Sequence, residues 1–152
     1  MNDLKFTSAG DFLKSQQQRI GFACKYMTAD QTQKKKRLEE IQRPLNTRST
    51  TVRWLNNQTT DIAEERLWDL MVHNIASYKR LIEYVGSLPP ELRMVRLGSD
   101  VLPVYTEPTW CYYWRKPDVI AYCEKEFAKV GATARALDVR LSMHPGQFTV
   151  LA

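Results

Sequence analysis

The sequence predicts an α/β fold, a parallel sheet in the order βαβαβ, from three observations. Two long segments carry apolar residues at three- and four-residue steps. Three short strand-like runs, RIGFAC, MVRL and VRLSM, flank them. The strand-like and helical runs alternate along the chain, which is the signature of parallel strands joined by right-handed crossovers.

Residues 1–18 are polar and Gln-rich and form an N-terminal extension outside the domain, which runs from 19 to 152. The run RIGFAC, Arg19 to Cys24, is the first strand. A long basic connection follows, with Pro44 and a Ser/Thr/Asn-rich patch through Thr51. A helix is predicted from Asp61 to about Val85. Asp61, with Glu64 three residues later, suits an N-cap with a capping box. Leu67, Leu70, Met71, Ile75, Tyr78, Leu81, Ile82 and Val85 supply its apolar stripe. Gly86 and Pro89-Pro90 stop it.

MVRL, Met94 to Leu97, is the second strand, and a loop rich in proline and aromatics runs from Pro103 to Trp114. The second helix starts near Pro117-Asp118, because proline suits the first helical turn. Its expected buried stripe is Val119, Ile120, Cys123, Phe127, Val130 and Leu137. The third strand, Val139 to Met143, delivers His144 at its carboxyl end. In parallel α/β folds ligands bind on the loops that follow the strands. The basic connection, the aromatic loop and HPGQF therefore belong on one face.

Composition narrows the function. With 43% hydrophobic and 26% charged residues the chain suits one globular domain. No run approaches the roughly 18 apolar residues that a membrane span requires. No secretory signal layout opens the sequence, so an intracellular, cytoplasmic protein is expected. Three cysteines without a CxxC motif suit reduced thiols rather than a zinc knuckle. There is no GxGxxG, no GxxxxGK[ST] and no GxSxG, which counts against nucleotide-binding loops and nucleophile elbows.

The net charge of +5 is confined to one segment. Between Lys25 and Arg53 stand eight Lys and Arg against Asp30, Glu39 and Glu40, while the rest of the chain balances. Localised positive charge suits a phosphate-binding surface, although a charge run is equally often a solvated loop. Tyr105, Trp110, Tyr112, Tyr113 and Trp114 place five of sixteen aromatics in one loop. Exposed, they would stack on bases; buried, they would plug the mouth of the sheet. His144 suits a metal ligand, a general base, a phosphate contact or a simple strand cap. With Glu107 or Asp100 nearby, an imidazole and carboxylates suit a divalent ion such as Mn²⁺ better than a thiolate-binding metal. His73 lies off the apolar stripe and is expected to face solvent.

Three ordered blocks, RIGFAC at 19–24, MVRLGSDVLP at 94–103 and LSMHPGQF at 141–148, resemble the UV damage endonucleases. These are metal-dependent DNA-repair enzymes built on a TIM barrel, and the likeness spans about residues 19–152. It implies nicking of DNA on the 5′ side of UV photoproducts by metal-dependent phosphodiester hydrolysis, with manganese the usual ion. His144 matches a family metal-binding histidine. Gln147 and Phe148 match the pair that enters the duplex opposite the lesion, where an aromatic wedge offsets unstacking. Phe22 stands where the family has a tyrosine beside the lesion, Tyr26 where an asparagine is expected, and Glu107 where a second metal histidine would precede proline. In the block around Thr51, Arg53 matches a phosphate contact.

A closed (β/α)₈ barrel takes about 250 residues. The resemblance therefore implies an incomplete barrel, its first part only, with most catalytic ligands beyond residue 152. The chain alone is then expected to be inactive, its partners being damaged double-stranded DNA and a complementing C-terminal barrel chain, with no membrane. The alternatives are half of a split enzyme or a non-catalytic DNA-binding remnant.

Overall fold

The structure is a computed structural model that describes residues 18–145; Gln147 and Phe148 lie outside the described residues. Three parallel strands form one sheet in the order β1 (Phe22–Ala23), β2 (Met94–Gly98), β3 (Arg140–His144). Phe22 pairs with Val95, and β2 pairs with β3 from Met94–Arg140 to Gly98–His144. The parallel βαβαβ order expected from the sequence is thus present in the described residues. The first strand is shorter than RIGFAC, because only two of its residues enter the ladder.

The foot of RIGFAC is nevertheless held firmly. The Arg19 side chain is 4% exposed, and its guanidinium donates to the carbonyls of Arg93 and Asp138 and to the Asp138 carboxylate at 2.8 Å. Arg93 and Asp138 precede β2 and β3, so one side chain ties together the amino ends of all three strands. Gly21 lies so close to β2 that a Cβ there would stand 2.1 Å from the Met94 carbonyl oxygen. Only glycine permits that approach.

The basic connection is not the plain loop the sequence suggested. It contains α1 (Lys35–Gln42), a 3₁₀ turn at Arg43–Leu45 and the short α2 (Val52–Asn56). Thr51 caps α2, its hydroxyl oxygen accepting from the Trp54 amide at 3.1 Å. Within Lys35–Gln42 only Leu38 and Ile41 are apolar, too few for a stripe by which to recognise a helix, and none of its residues is buried.

The long helix α3 runs Thr60–Gly86, and every residue of its expected stripe is buried. Its start differs from the expectation. Thr59, not Asp61, holds the cap position, and Asp61 lies in the first turn, where its charge still complements the helix dipole. Glu64 does not close a capping box; it accepts from the Tyr112 hydroxyl at 3.0 Å and pairs with Lys116. Helix α4 (Pro117–Ala136) packs against α3, with Trp68 and Tyr122 rings 4.9 Å apart. Val119, Val130 and Ala134 are buried there, but Ile120 is 41% exposed, contrary to expectation. One residue past Val119 on a helix is a turn of about 100°, enough to leave the buried face.

The aromatic loop decides between its two readings residue by residue. Trp110, Tyr113 and Trp114 are buried in the core, while Tyr105 and Tyr112 are exposed. The 3₁₀ turn Cys111–Arg115 carries this plug. It is pinned by Trp114 Nε1 to the Pro103 carbonyl at 3.0 Å and by Trp110 Nε1 to Asn56 Oδ1 at 2.8 Å. Among the described residues no helix is long and apolar enough to cross a membrane.

Candidate nucleic-acid site at the strand ends

The carboxyl ends of the strands and the connections that follow them are joined by hydrogen bonds. Asn74, fully buried on α3, is the centre of this join. Its Oδ1 accepts from the Arg48 amide at 2.7 Å, and its Nδ2 donates to the carbonyls of Arg48 and Val101, each at 2.9 Å. One amide therefore fixes the loop after β1 to the loop after β2. The Thr47 hydroxyl donates to Asp100 Oδ2 at 3.2 Å, and the Tyr78 hydroxyl donates to the Gly98 carbonyl. Burial pushes the Tyr78 phenol upward, with the Asp100 charge adding to it, so the hydroxyl keeps its proton and acts as a donor.

His144 ends β3 opposite Gly98, and its carbonyl accepts from the Ser99 amide at 3.0 Å. The imidazole is exposed at this end of the sheet, beside the Gly98–Asp100 turn. Phe22 and Tyr26 also stand together, ring centroids 6.4 Å apart, with Tyr84 4.9 Å beyond Tyr26. Tyr26 is fixed by Asn46, whose side chain exchanges two hydrogen bonds with the Tyr26 backbone at 2.8 and 2.9 Å. Between them, Cys24 takes a left-handed backbone (φ 67°) where the chain leaves β1. A non-glycine residue there is uncommon and turns the chain sharply toward Tyr26.

Glu107 serves its own turn, its Oε2 accepting from the Trp110 amide at 2.9 Å. Among the described residues, no three His, Cys, Asp or Glu side chains converge to hold a metal ion. An imidazole and a carboxylate are suitable donor types for a divalent ion, but His144 and Glu107 alone do not make a closed set. Arg53 is exposed on α2.

Sequence reasoning missed three side chains, Trp54, Arg66 and Asn46, and misplaced a fourth, His73. Next to Arg53, Trp54 is 39% exposed, and the Arg66 guanidinium lies 5.9 Å from its ring centre. Asn46 and His73 are coupled: the His73 ring Nε2 meets the Asn46 carbonyl at 3.0 Å, and the ring is half-buried rather than solvent-facing. Burial depresses the His73 pKa, and Arg48, Arg80 and Arg43 depress it further, outweighing that hydrogen bond. A tryptophan next to Arg53, in a segment already basic, was the local signal for Trp54; Arg66 joins it only through the fold. The second pair had none, because residues 46 and 73 meet only through the fold.

The family model described as UV-endonuclease UvdE matches residues 17–152. Among curated proteins, the chain is 29% identical over 87 residues to the UV DNA damage endonuclease of Bacillus thuringiensis subsp. konkukian and to that of Bacillus anthracis. It is 28% identical over 87 residues to that of Bacillus mycoides. Each match covers 57% of this chain and 25% of the relative.

Proposed function

The chain belongs to the UV-endonuclease UvdE family, and from that membership we propose that it serves DNA repair as a damage-directed endonuclease acting on UV-irradiated double-stranded DNA. The observation that carries this reading is the family match itself, which runs through all three strands and the loops after them.

Each residue group has a proposed role. Phe22 and Tyr26 form an aromatic wall beside the lesion. Gln147 and Phe148 enter the duplex opposite it, the phenyl ring offsetting the loss of stacking. Arg53 neutralises a backbone phosphate. His144 and Glu107 are two ligands of a divalent site, manganese by preference, which when complete would polarise the scissile phosphate and supply hydroxide. Because no three His, Cys, Asp or Glu side chains converge among the described residues, the chain alone is proposed to bind damaged DNA without cutting it. Further ligands, from a second polypeptide in the split-enzyme form of this reading, would be needed for nicking. A non-catalytic DNA-binding role is the second reading.

The test is a gel-shift competition between UV-irradiated and intact duplex, run beside nicking of irradiated supercoiled plasmid with Mn²⁺. Preference for the irradiated duplex is expected, and its loss in the variant carrying Gln147→Ala and Phe148→Ala together. Equal binding of the two duplexes by the wild type would overturn lesion recognition. Manganese-dependent nicking by the chain alone would overturn the inactivity while supporting the endonuclease.

A further inference from the structure

The connection between β1 and α3 carries two adjacent pockets. One, of about 490 Å³, is lined by Arg43, Asn46 and Arg48 together with Gln42 and Glu39. The other, of about 330 Å³, is lined by Trp54, Arg66, Thr50 and Thr51. The chain passes from the first to the second within two residues, Arg48 to Thr50.

The charge between them is uncompensated. Burial lowers the Arg48 guanidinium, and Arg43 and Arg66 lower it further, with no carboxylate acting in the opposite sense. None of these three arginines forms an ion pair with a described residue. Glu39, the one carboxylate in the lining, lies 4.0 Å from Lys35. Arg43 and Arg66 repel Arg48, and a phosphodiester relieves that repulsion while accepting the forked hydrogen bonds that arginine offers.

The second pocket adds a different chemistry. Trp54 lies outside the core, its backbone amide is fixed by the Thr51 cap of α2, and its indole is faced by Arg66 at 5.9 Å, near the outer limit of a cation–π contact. A basic groove leading to an exposed aromatic ring is how proteins hold unpaired strands, the arginines following the backbone and the ring stacking on a base. A paired base inside a duplex has both faces covered by its neighbours and offers none to an indole.

We propose that these two pockets form a binding site for single-stranded DNA, with a phosphate held by Arg43 and Arg48 and the adjoining base stacked against Trp54 beside Arg66. The choice of DNA rests on the repair reading above; the pockets and the charge do not.

The test uses the full chain in EDTA and a fluorescein-labelled eight-nucleotide oligothymidylate, followed by anisotropy at several salt concentrations. An oligomer of equal length whose bases are all replaced by abasic sites serves as the probe of the phosphate contacts alone. Trp54→Ala is expected to weaken oligothymidylate binding about 5- to 140-fold, the range for loss of one stacked base. It should leave binding of the abasic oligomer unchanged, and Trp54→Phe should retain most of the affinity. Arg48→Gln should lower the slope of log K against log salt by about 0.7, one phosphate contact on a single strand. Unchanged circular dichroism in each variant separates loss of the site from loss of the fold. Wild-type affinity in Trp54→Ala, or equal binding of the two oligomers by the wild type, would overturn the site. Tighter binding of oligouridylate than of oligothymidylate would overturn the assignment to DNA. Failure to prefer irradiated duplex, with oligothymidylate binding intact, would strike the repair reading and leave this site standing.

Discussion

Asn74 shows how one buried side chain can join two distant connections. Its three hydrogen bonds join the connections that follow two different strands, and the side chain is wholly buried. Replacement by alanine strands a buried Val101 carbonyl and frees the Arg48 backbone, whose half-exposed groups recover water. The expected cost is about 2–4 kcal/mol, from one unsatisfied buried acceptor plus the hydrogen bonds lost. It should appear as a lower urea midpoint with unchanged slope. A midpoint equal to wild type would remove Asn74 from its structural role. Arg48 should also lose its fixed position, so oligothymidylate affinity should fall in the same variant. His144 is a contrasting case. Its place at the end of the third strand is readable from the sequence, because a short apolar run before Pro-Gly leaves little choice, and the register opposite Gly98 agrees.

Among elements, α3 is the most legible and β1 the least. The stripe from Leu67 to Val85 recurs at helical steps and is buried throughout, since a long amphipathic helix has only one face to give the core. RIGFAC looks like a six-residue strand, but its ladder is two residues long, and the remainder is fixed by Arg19 and by the close approach at Gly21. Gly21→Ala should therefore do more than its size suggests. A methyl group 2.1 Å from a backbone oxygen has no room, and the neighbour is main chain that cannot rotate away. The variant is expected to release β1 from β2. Hydrogen exchange at the amides of Ile20 and Cys24, which donate to Glu91 and Arg96, should then speed up while β2–β3 amides stay protected. Retained protection at both amides would show that the backbone absorbs the methyl group. The capping box teaches the same lesson at the start of α3. Asp61 and Glu64 have the right spacing, yet Glu64 is drawn away by Tyr112 and Lys116, which lie about fifty residues on and offer a hydroxyl and a cation together.

Over the whole molecule, charge is segregated: the excess of Lys and Arg lies in the connection between β1 and α3, and the sheet and long helices are close to neutral. His73 registers that field. Its pKa in the fold is depressed, first by burial and then by Arg48, Arg80 and Arg43, while in the unfolded chain it returns to about 6.5. Between those two values the unfolded state binds more protons, so this group's contribution to stability falls as pH drops through that window. Below both values the loss is complete. The melting temperature should decline between pH 7.5 and 5.5, and His73→Gln, which retains an N–H donor for Asn46, should show a shallower decline. Parallel curves for the two proteins would assign the pH dependence to other groups.

Fold class, the order of the strands, the buried stripe of α3 and the position of His144 were all determined by the sequence itself. Each depends on local periodicity or on a break in it, and local patterns survive without knowledge of the neighbours. The tertiary structure alone decided that Trp110, Tyr113 and Trp114 plug the core while Tyr105 and Tyr112 do not. It also decided that His73 meets Asn46, that Glu64 serves the aromatic turn, that Arg43 and Arg66 act electrostatically on Arg48, and that Arg66 faces Trp54. These are contacts between residues far apart in the chain. Burial and charge repulsion act through space, and no spacing along the sequence records which distant side chains will share the same few ångströms.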